Sequence, residues 1–268
     1  MTDIEPLINA IHQQYGYDLR DYARASLIRR LSLAMKKERL RDFNEFQDRL
    51  LHSPAFFYRL LGVLSVNVSA MFRDPDFYLA LRRQVIPLLR TWPFIRIWHA
   101  GCANGEEVYS MAILLKEEGL YERSRIYATD FSELILEQAK QGIYSCKNVQ
   151  TYIENYRLAG GKEDFSCYYR SDYDRVIIRN ELKKNIVFAQ HNLVSDGSFN
   201  EFNLILCRNV MIYFNNALKD RTLRLLHQSL CRFGVLALGK KESLNGTELG
   251  FRYDTLAENE RLYRRIGW

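Results

Sequence analysis

The stretch Ile97-Trp98-His99-Ala100-Gly101-Cys102-Ala103-Asn104-Gly105-Glu106-Glu107-Val108-Tyr109-Ser110 decides the fold of this chain. An apolar run, Phe94 to Ala100, leads into two glycines four apart, and a helical pattern follows at once. That pattern predicts strand, tight loop, helix. Glycine at 101 and 105 lets backbone approach a ligand where a Cβ would collide. A helix starting just after such a loop points free N–H groups at whatever sits there. Downstream, Arg125-Ile-Tyr-Ala-Thr-Asp130 is a second apolar stretch, and it ends in an acid. A Gly-rich first turn with an acid at the end of the next strand is the Rossmann-like scheme for a nucleoside, the carboxylate accepting hydrogen bonds from ribose hydroxyls. Glycines at this spacing also serve close packing alone, so the acid matters to the reading.

The chain has 268 residues, enough for one large domain or two modest ones, and its 47% apolar content supplies an ordinary globular core. A net charge of +6 points to an acidic partner without choosing among nucleic acid, membrane surface and acidic protein. The five cysteines are odd in number and scattered, form no CxxC, and do not cluster with the five histidines. Neither a metal site nor a disulfide framework is expected, and a reducing, cytoplasmic setting fits best. No signal peptide pattern or membrane-length apolar run is present.

Residues 1 to about 90 read as helical. Leu27, Ile28, Leu31, Ala34 and Met35 form one helix face. Basic residues crowd the same segment, among them Arg24, Arg29, Arg30, Lys36 and Lys37. They are either a solvated face or a docking surface for an acidic helix or for nucleic acid. Thr91-Trp92-Pro93 marks an expected boundary, with a domain spanning 91–268 beyond it. There strands alternate with helices: strands at 94–100, 125–129, 186–189, 202–207 and 235–238, helices at 106–118, 132–140 and 217–231, and a terminal hairpin from 251–253 and 261–266. Repeated βα units imply a mostly parallel α/β sheet covered on both faces. Residues 144–185 break the rhythm with short tyrosine-rich β-type runs and read as an inserted small antiparallel sheet.

Four separated pieces line up: Asn67-Val-Ser-Ala-Met-Phe-Arg73-Asp-Pro; Ala-Gly-Cys-Ala-Asn-Gly105-Glu-Glu107-Val-Tyr-Ser; Ala-Thr-Asp130; and His-Asn192-Leu193 with Cys-Arg-Asn209-Val-Met-Ile-Tyr213-Phe. Together they resemble the CheR family, bacterial chemoreceptor glutamate O-methyltransferases that use S-adenosylmethionine. The resemblance covers nearly the whole chain. It implies a helical N-terminal domain and linker, then a Rossmann-like methyltransferase domain carrying a small inserted antiparallel β-subdomain. It also implies roles. Asn67, Ser69 and Arg73 would close over the cofactor, and Gly101, Glu106 and Glu107 would line its amino-acid end. Asp130 would hold the ribose, Asn192 and Leu193 would flank the adenine, and Asn209 and Val210 would lie along the reactive side. Arg73 and Tyr213 would sit nearest the transferred methyl as the catalytic pair. The implied partner is the acidic, helical methylation region of a receptor's cytoplasmic domain, with the enzyme recruited to receptor clusters at the membrane as a monomer. The family commonly has threonine at Ser69, phenylalanine at Met71 and Ser-Thr at Ala103-Asn104.

The chemistry suits these residues. A glutamate side chain, with a reference pKa of about 4.3, is already ionised at neutral pH. No strong general base is required, and the sequence offers none. What the enzyme supplies is alignment. Arg73 would hold a carboxylate by a bidentate contact that lysine cannot reproduce, the carboxylate being the substrate's or the cofactor's own. Two other readings share this scaffold: methylation of nucleic acid, and a catalytically silent receptor-binding module. Asn209-Val-Met-Ile-Tyr lacks the prolines common in amino-group methyltransferases, which argues against the first. The intact cofactor set argues against the second.

Overall fold

Apolar side chains three and four apart build a helical N-terminal part in the computed structural model, which describes residues 4–15, 17–64 and 69–267. The helices are α1 (Glu5–Tyr15), α2 (Arg24–Lys37), α3 (Phe43–His52) and α4 (Pro54–Leu64). Leu27, Leu31 and Ala34 of α2 join Leu7, Ile8 and Ile11 of α1 and Phe46 and Leu50 of α3 in one cluster. Asp42 caps α3 by accepting from Glu45 N at 2.9 Å.

The next helical stretch comprises α5 (Pro75–Ala80), a π-helical turn (Leu81–Val85) and α6 (Ile86–Leu89). Phe77, Leu81, Val85 and Leu89 are buried in the same cluster as Ile95, Ile97 and Val108, so by packing they belong with the sheet. The change of packing unit therefore falls before Met71. Thr91–Pro93 is only a turn between α6 and the first strand, not the boundary that its composition predicts.

Strands and helices then alternate: β1 (Ile95–Ala100), α7 (Glu106–Glu117), β2 (Ser124–Asp130) and α8 (Glu133–Gln141). After β3 (Ile143–Ser145), α9 (Val149–Leu158), β4 (Tyr169–Asp172) and β5 (Arg175–Ile178) come β6 (Ile186–Gln190), β7 (Phe202–Cys207), α10 (Asn216–Ser229) and β8 (Leu230–Leu238), then β9 (Tyr253–Ala257) and β10 (Leu262–Arg265). The main sheet has seven strands in the order β6-β2-β1-β7-β8-β10-β9. The first five in that order run parallel, and the terminal hairpin is antiparallel. Side chains alternate between two cores. Ile95 and Ile97 of β1 face the cluster with α7, while Trp98 and Ala100 face the cluster with α10. α7 is buried from Val108 through Leu115, the mark of a helix covered all round.

The insertion is a three-stranded antiparallel sheet, β3-β5-β4, as the tyrosine-rich runs predict. It also holds α9, a ten-residue helix that the β-type runs conceal. Tyr152 and Tyr156 anchor α9 in the main core. Gly142, at φ 61, ends α8 in the left-handed form and lets β3 start at once. Among the described residues, no helix is long and apolar enough to cross a membrane.

The N-terminal helices dock on the loop after β7. Tyr22 and Phe214 form an antiparallel bridge with rings edge to face at 5.3 Å. Ala23 N donates to Tyr213 O at 2.8 Å, and Asn215 N donates to Asp21 O at 2.9 Å. The Asn215 side chain does two jobs: Oδ1 caps α10 by accepting from Leu218 N at 2.9 Å, and Nδ2 donates to Asp21 Oδ1 at 3.0 Å. Asn215→Ala should therefore cost about 1–2 kcal/mol, read as a lower urea midpoint. Asn215→Ser, which keeps the cap, should recover about half of that loss.

Candidate active site

The loops after β1, β2, β6 and β7 converge on one cleft. β1 ends in Gly101, at φ 80, whose N–H and that of Cys102 both reach Thr129 O, at 2.8 and 2.9 Å. A Cβ on Gly101 would lie 2.6 Å from Val210 Cγ2, so only glycine leaves the cleft floor open there. At the end of β2, Asp130 accepts from Ala103 N at 3.1 Å and Ser132 N at 3.2 Å. Burial pushes its carboxyl pKa up, and these amide bonds pull against that. The same side chain shapes the glycine loop and lines the cleft. After β6, Asn192 Oδ1 accepts from Val194 N at 3.0 Å and Asp196 accepts from Asn192 N at 2.9 Å, a local turn that brings Leu193 to the cleft wall.

After β7 the backbone is held by a residue far along the chain. The Glu242 carboxylate accepts from Gly239 N (2.7 Å), Asn209 N (2.9 Å), Val210 N (3.0 Å) and Ile212 N (3.3 Å). Burial drives this carboxyl pKa up, opposed by the amides it receives. It keeps Asn209 in the left-handed conformation, φ 61, and sets Val210 and Tyr213 on the cleft.

The linker and the N-terminal helices supply the remaining walls. Ser69 and Arg73 come from the linker, and Leu19, Tyr22, Leu27 and Arg30 form a roof. Asn67 lies outside the described residues. Arg30 differs from its reading as part of a solvated basic face: it is buried, with its guanidinium carbon 3.7 Å from the centroid of the Tyr213 ring. It falls on the apolar stripe of α2 between Leu27 and Leu31, so the helix turns it inward. Arg29, Lys36 and Lys37 remain exposed and off the cleft, and Arg24 pairs with Glu5.

The two adjacent glutamates part company. Glu107 lines the cleft; Glu106 does not. Glu106 turns to Ser69 and Tyr152, beside a polar pocket shared with Asn104, Gln138, Tyr144 and Asn148, and burial raises its pKa to about 7. Neighbours on a helix point about 100° apart, so only one of the pair can face the cleft. Glu107 meets His99 Nδ1 at 3.0 Å and accepts from Arg208 Nη1 at 2.8 Å. Burial opposes its ionisation, but the His99 bond and the Arg208 charge outweigh it and hold the pKa down at about 2.

Arg208, Asp74 and Glu242 are the site residues that motif reading passes over. Arg208 is buried after β7, bridging Glu107 and Asp74, the latter at 2.7 Å, with its guanidinium 3.8 Å from the Phe77 ring centroid. The one signal is an arginine directly after the apolar run at 204–207, where an unpaired cation is untenable.

Glu107 makes a pH signature. Its pKa is depressed on folding, so its stabilisation is full above about 4.5 and fades as pH falls toward about 2. Glu107→Gln should be less stable than the parent at neutral pH, with the gap shrinking through that window. Urea midpoints at pH 6, 4 and 3 (about one unit either way suffices) check this.

The cleft is open to solvent and is walled by strand-end loops, the linker and the N-terminal helices. The donor set suits S-adenosylmethionine: a floor that a Cβ at 101 would fill, a strand-end carboxylate for ribose hydroxyls, and apolar Leu193, Val194 and Val210 for a base. Comparison with known proteins agrees. Residues 67–257 match the model of the CheR methyltransferase SAM-binding domain, and residues 2–65 match that of the CheR all-alpha domain. The chain is 50% identical over 266 residues to a Pseudomonas putida protein named Cher3, covering 98% of this chain and 97% of that one. It is 32% identical over 243 residues to a chemotaxis protein methyltransferase of Listeria innocua, covering 90% of each. A chemotaxis protein methyltransferase of Borreliella burgdorferi is 28% identical over 264 residues, covering 92% of this chain and 89% of that one. The chain belongs to the CheR family of S-adenosylmethionine-dependent methyltransferases.

Proposed function

We propose that this enzyme methylates glutamate side-chain carboxylates in the cytoplasmic region of a bacterial chemoreceptor and so tunes signalling adaptation. The observation that carries this reading is that two arginines and a tyrosine, Arg73, Arg30 and Tyr213, line the same cleft, with the Arg30 guanidinium lying over the Tyr213 ring. They arrive from the linker, α2 and the loop after β7, and they make an acceptor site fitted to an anion. The Listeria and Borreliella relatives are named chemotaxis protein methyltransferases, which supports a substrate within the chemotaxis machinery.

Bound S-adenosylmethionine supplies an electrophilic methyl group on a sulfonium. Asp130 would hold the ribose, Leu193 and Asn192 the adenine, and Ser69, Gly101 and Glu107 the amino-acid end. Asn209 and Val210 would lie along the reactive side. Among the described residues that line the cleft, none is poised as a general base. Glu107 is held by Arg208 and His99, and Asp130 accepts from backbone amides. The Cys102 thiol is pushed up by burial, and His191 meets Gly197 O through Nε2 at 3.0 Å while its other ring nitrogen, Nδ1, is buried. An acceptor that ionises near about 4.3 needs no base, so this lack fits a carboxylate better than an amine or hydroxyl. Arg73 would orient the attacking carboxylate in a fork that fixes both oxygens. The Tyr213 hydroxyl would steer the oxygen lone pair, with the Arg30 guanidinium holding the ring from behind.

The deciding experiment is transfer of labelled methyl from S-adenosylmethionine to a receptor cytoplasmic fragment, with the product tested for release by mild base as an ester demands. Label that is base-stable, or that goes to RNA instead, would sink the proposal. Arg73→Lys should lower kcat by about 10²-fold or more. Tyr213→Phe should lower it by about tenfold while leaving S-adenosylhomocysteine affinity intact by calorimetry.

The exposed cations of α2 remain available to steer an acidic helix. Changing Arg29, Lys36 and Lys37 together to Glu should reduce kcat/KM on the receptor fragment by about tenfold at low salt, and by much less at high salt. Cofactor binding should not move. An unchanged kcat/KM would return that face to solvent.

A further inference from the structure

We infer that Arg208 is a positioning residue: through Asp74 it fixes the strained piece of linker that carries Arg73 over the cleft. The inference rests on the proposed role of Arg73.

The linker around Arg73 is unusual. Phe72, at φ 52, and Asp74, at φ 59, both sit in the left-handed region, and neither is glycine. Such residues persist only where the surroundings over-determine them. Phe72 is fixed twice. Its N–H donates to Ser110 Oγ at 2.9 Å, and its ring packs against Tyr78 and Tyr156 with centroids 4.9 and 5.2 Å away. Asp74 has Phe77 N donating to its carbonyl at 2.9 Å, and beyond that it has Arg208.

The aim of the Asp74 side chain is telling. Asp74 is the N-cap of α5, a position where an aspartate ordinarily accepts from the helix's own first-turn amides. Here it makes no such bond. Its carboxylate instead takes Arg208 Nη2 at 2.7 Å. A favourable local cap has been given up for a contact 134 residues along the chain.

Arg208 is suited to act as a fixed post. Its side chain is 2% exposed. Nη1 is held by Glu107, which His99 holds in turn, and the guanidinium is stacked on Phe77. Phe77 lies on α5, so Arg208 grips the segment that follows Arg73 at two points, the Asp74 carboxylate and the Phe77 ring.

Asp74→Asn is the cleaner probe, because removing Arg208 strands Glu107 as a buried charge and endangers the fold. Two readouts are needed. Hydrogen exchange on the ligand-free full chain should show the amides of residues 72–77 exchanging at least tenfold faster in Asp74→Asn, with α7 and the sheet unchanged. This readout does not depend on any acceptor. In methyl transfer to the receptor fragment, Asp74→Asn should lower kcat by at least fivefold and leave S-adenosylhomocysteine affinity within twofold. Arg208→Lys, which keeps one charged contact, should fall between Asp74→Asn and the parent in the exchange readout. The cycle with Arg73→Ala is decisive. If Asp74 and Arg208 act through Arg73, Asp74→Asn adds less than twofold in kcat on that background. Losses that multiply, or parent-like exchange in Asp74→Asn, would overturn the inference. A parent enzyme that methylates no receptor fragment would instead fail the proposed substrate, and the exchange result would stand by itself.

Discussion

The parallel sheet reverses its winding between β1 and β7, and that reversal determines where everything functional must stand. From β1 the chain steps to β2 and β6 on one side, and then returns to β7 and β8 on the other. The loops leaving β1 and β7 therefore diverge, and a crevice opens between them at the carboxyl ends of the strands. Gly101 leaves β1 at the crevice and Arg208-Asn209 leaves β7 opposite it. The closeness of Gly101 to Val210 measures how narrow the floor is. No side chain beyond hydrogen fits at 101, so the topology itself dictates one residue.

What could be read from the sequence follows from how local its cause is. Gly101, Asp130, Asn192 and Asn209 stand at strand ends, where the backbone demands a particular residue within a few positions, and their spacing betrays them. Burial on both faces of the sheet wrote β7 as an apolar run broken only by Asn203. Where the cause lies far off, the sequence is mute. Glu242 supports the turn at Asn209 from more than thirty residues away, and Arg208 finds Glu107 and Asp74 at separations of 101 and 134. Neighbouring residues also deceive: Glu106 and Glu107 look alike in the chain, as do Arg29 and Arg30, yet one turn angle sends each pair in different directions. The helix α9 was hidden because its tyrosines, which here anchor a helix to the core, carry the same β-type signature as the strands around it.

Electrostatics in the cleft are settled before any ligand arrives. The carboxylates near the floor are already committed, Glu107 to Arg208 and Asp130 to backbone amides, so their charges organise loops. The cations are differently placed. Arg30 lies over the Tyr213 ring and Arg73 lines the cleft. Anchored anions and cleft-lining cations are the arrangement that the proposed carboxylate acceptor would require.

The roof has a consequence of its own. Leu19, Tyr22, Leu27 and Arg30 belong to the helical part, and that part is tied to the loop after β7 by backbone bonds on both sides of Tyr213. Any opening of the cleft on this side must move these residues, and so disturb the contacts that dock the two parts. Egress can thus become the slow event of a cycle, independent of how fast the methyl moves. Where that exit is slow, turnover follows the strength of the docking contacts rather than the chemistry.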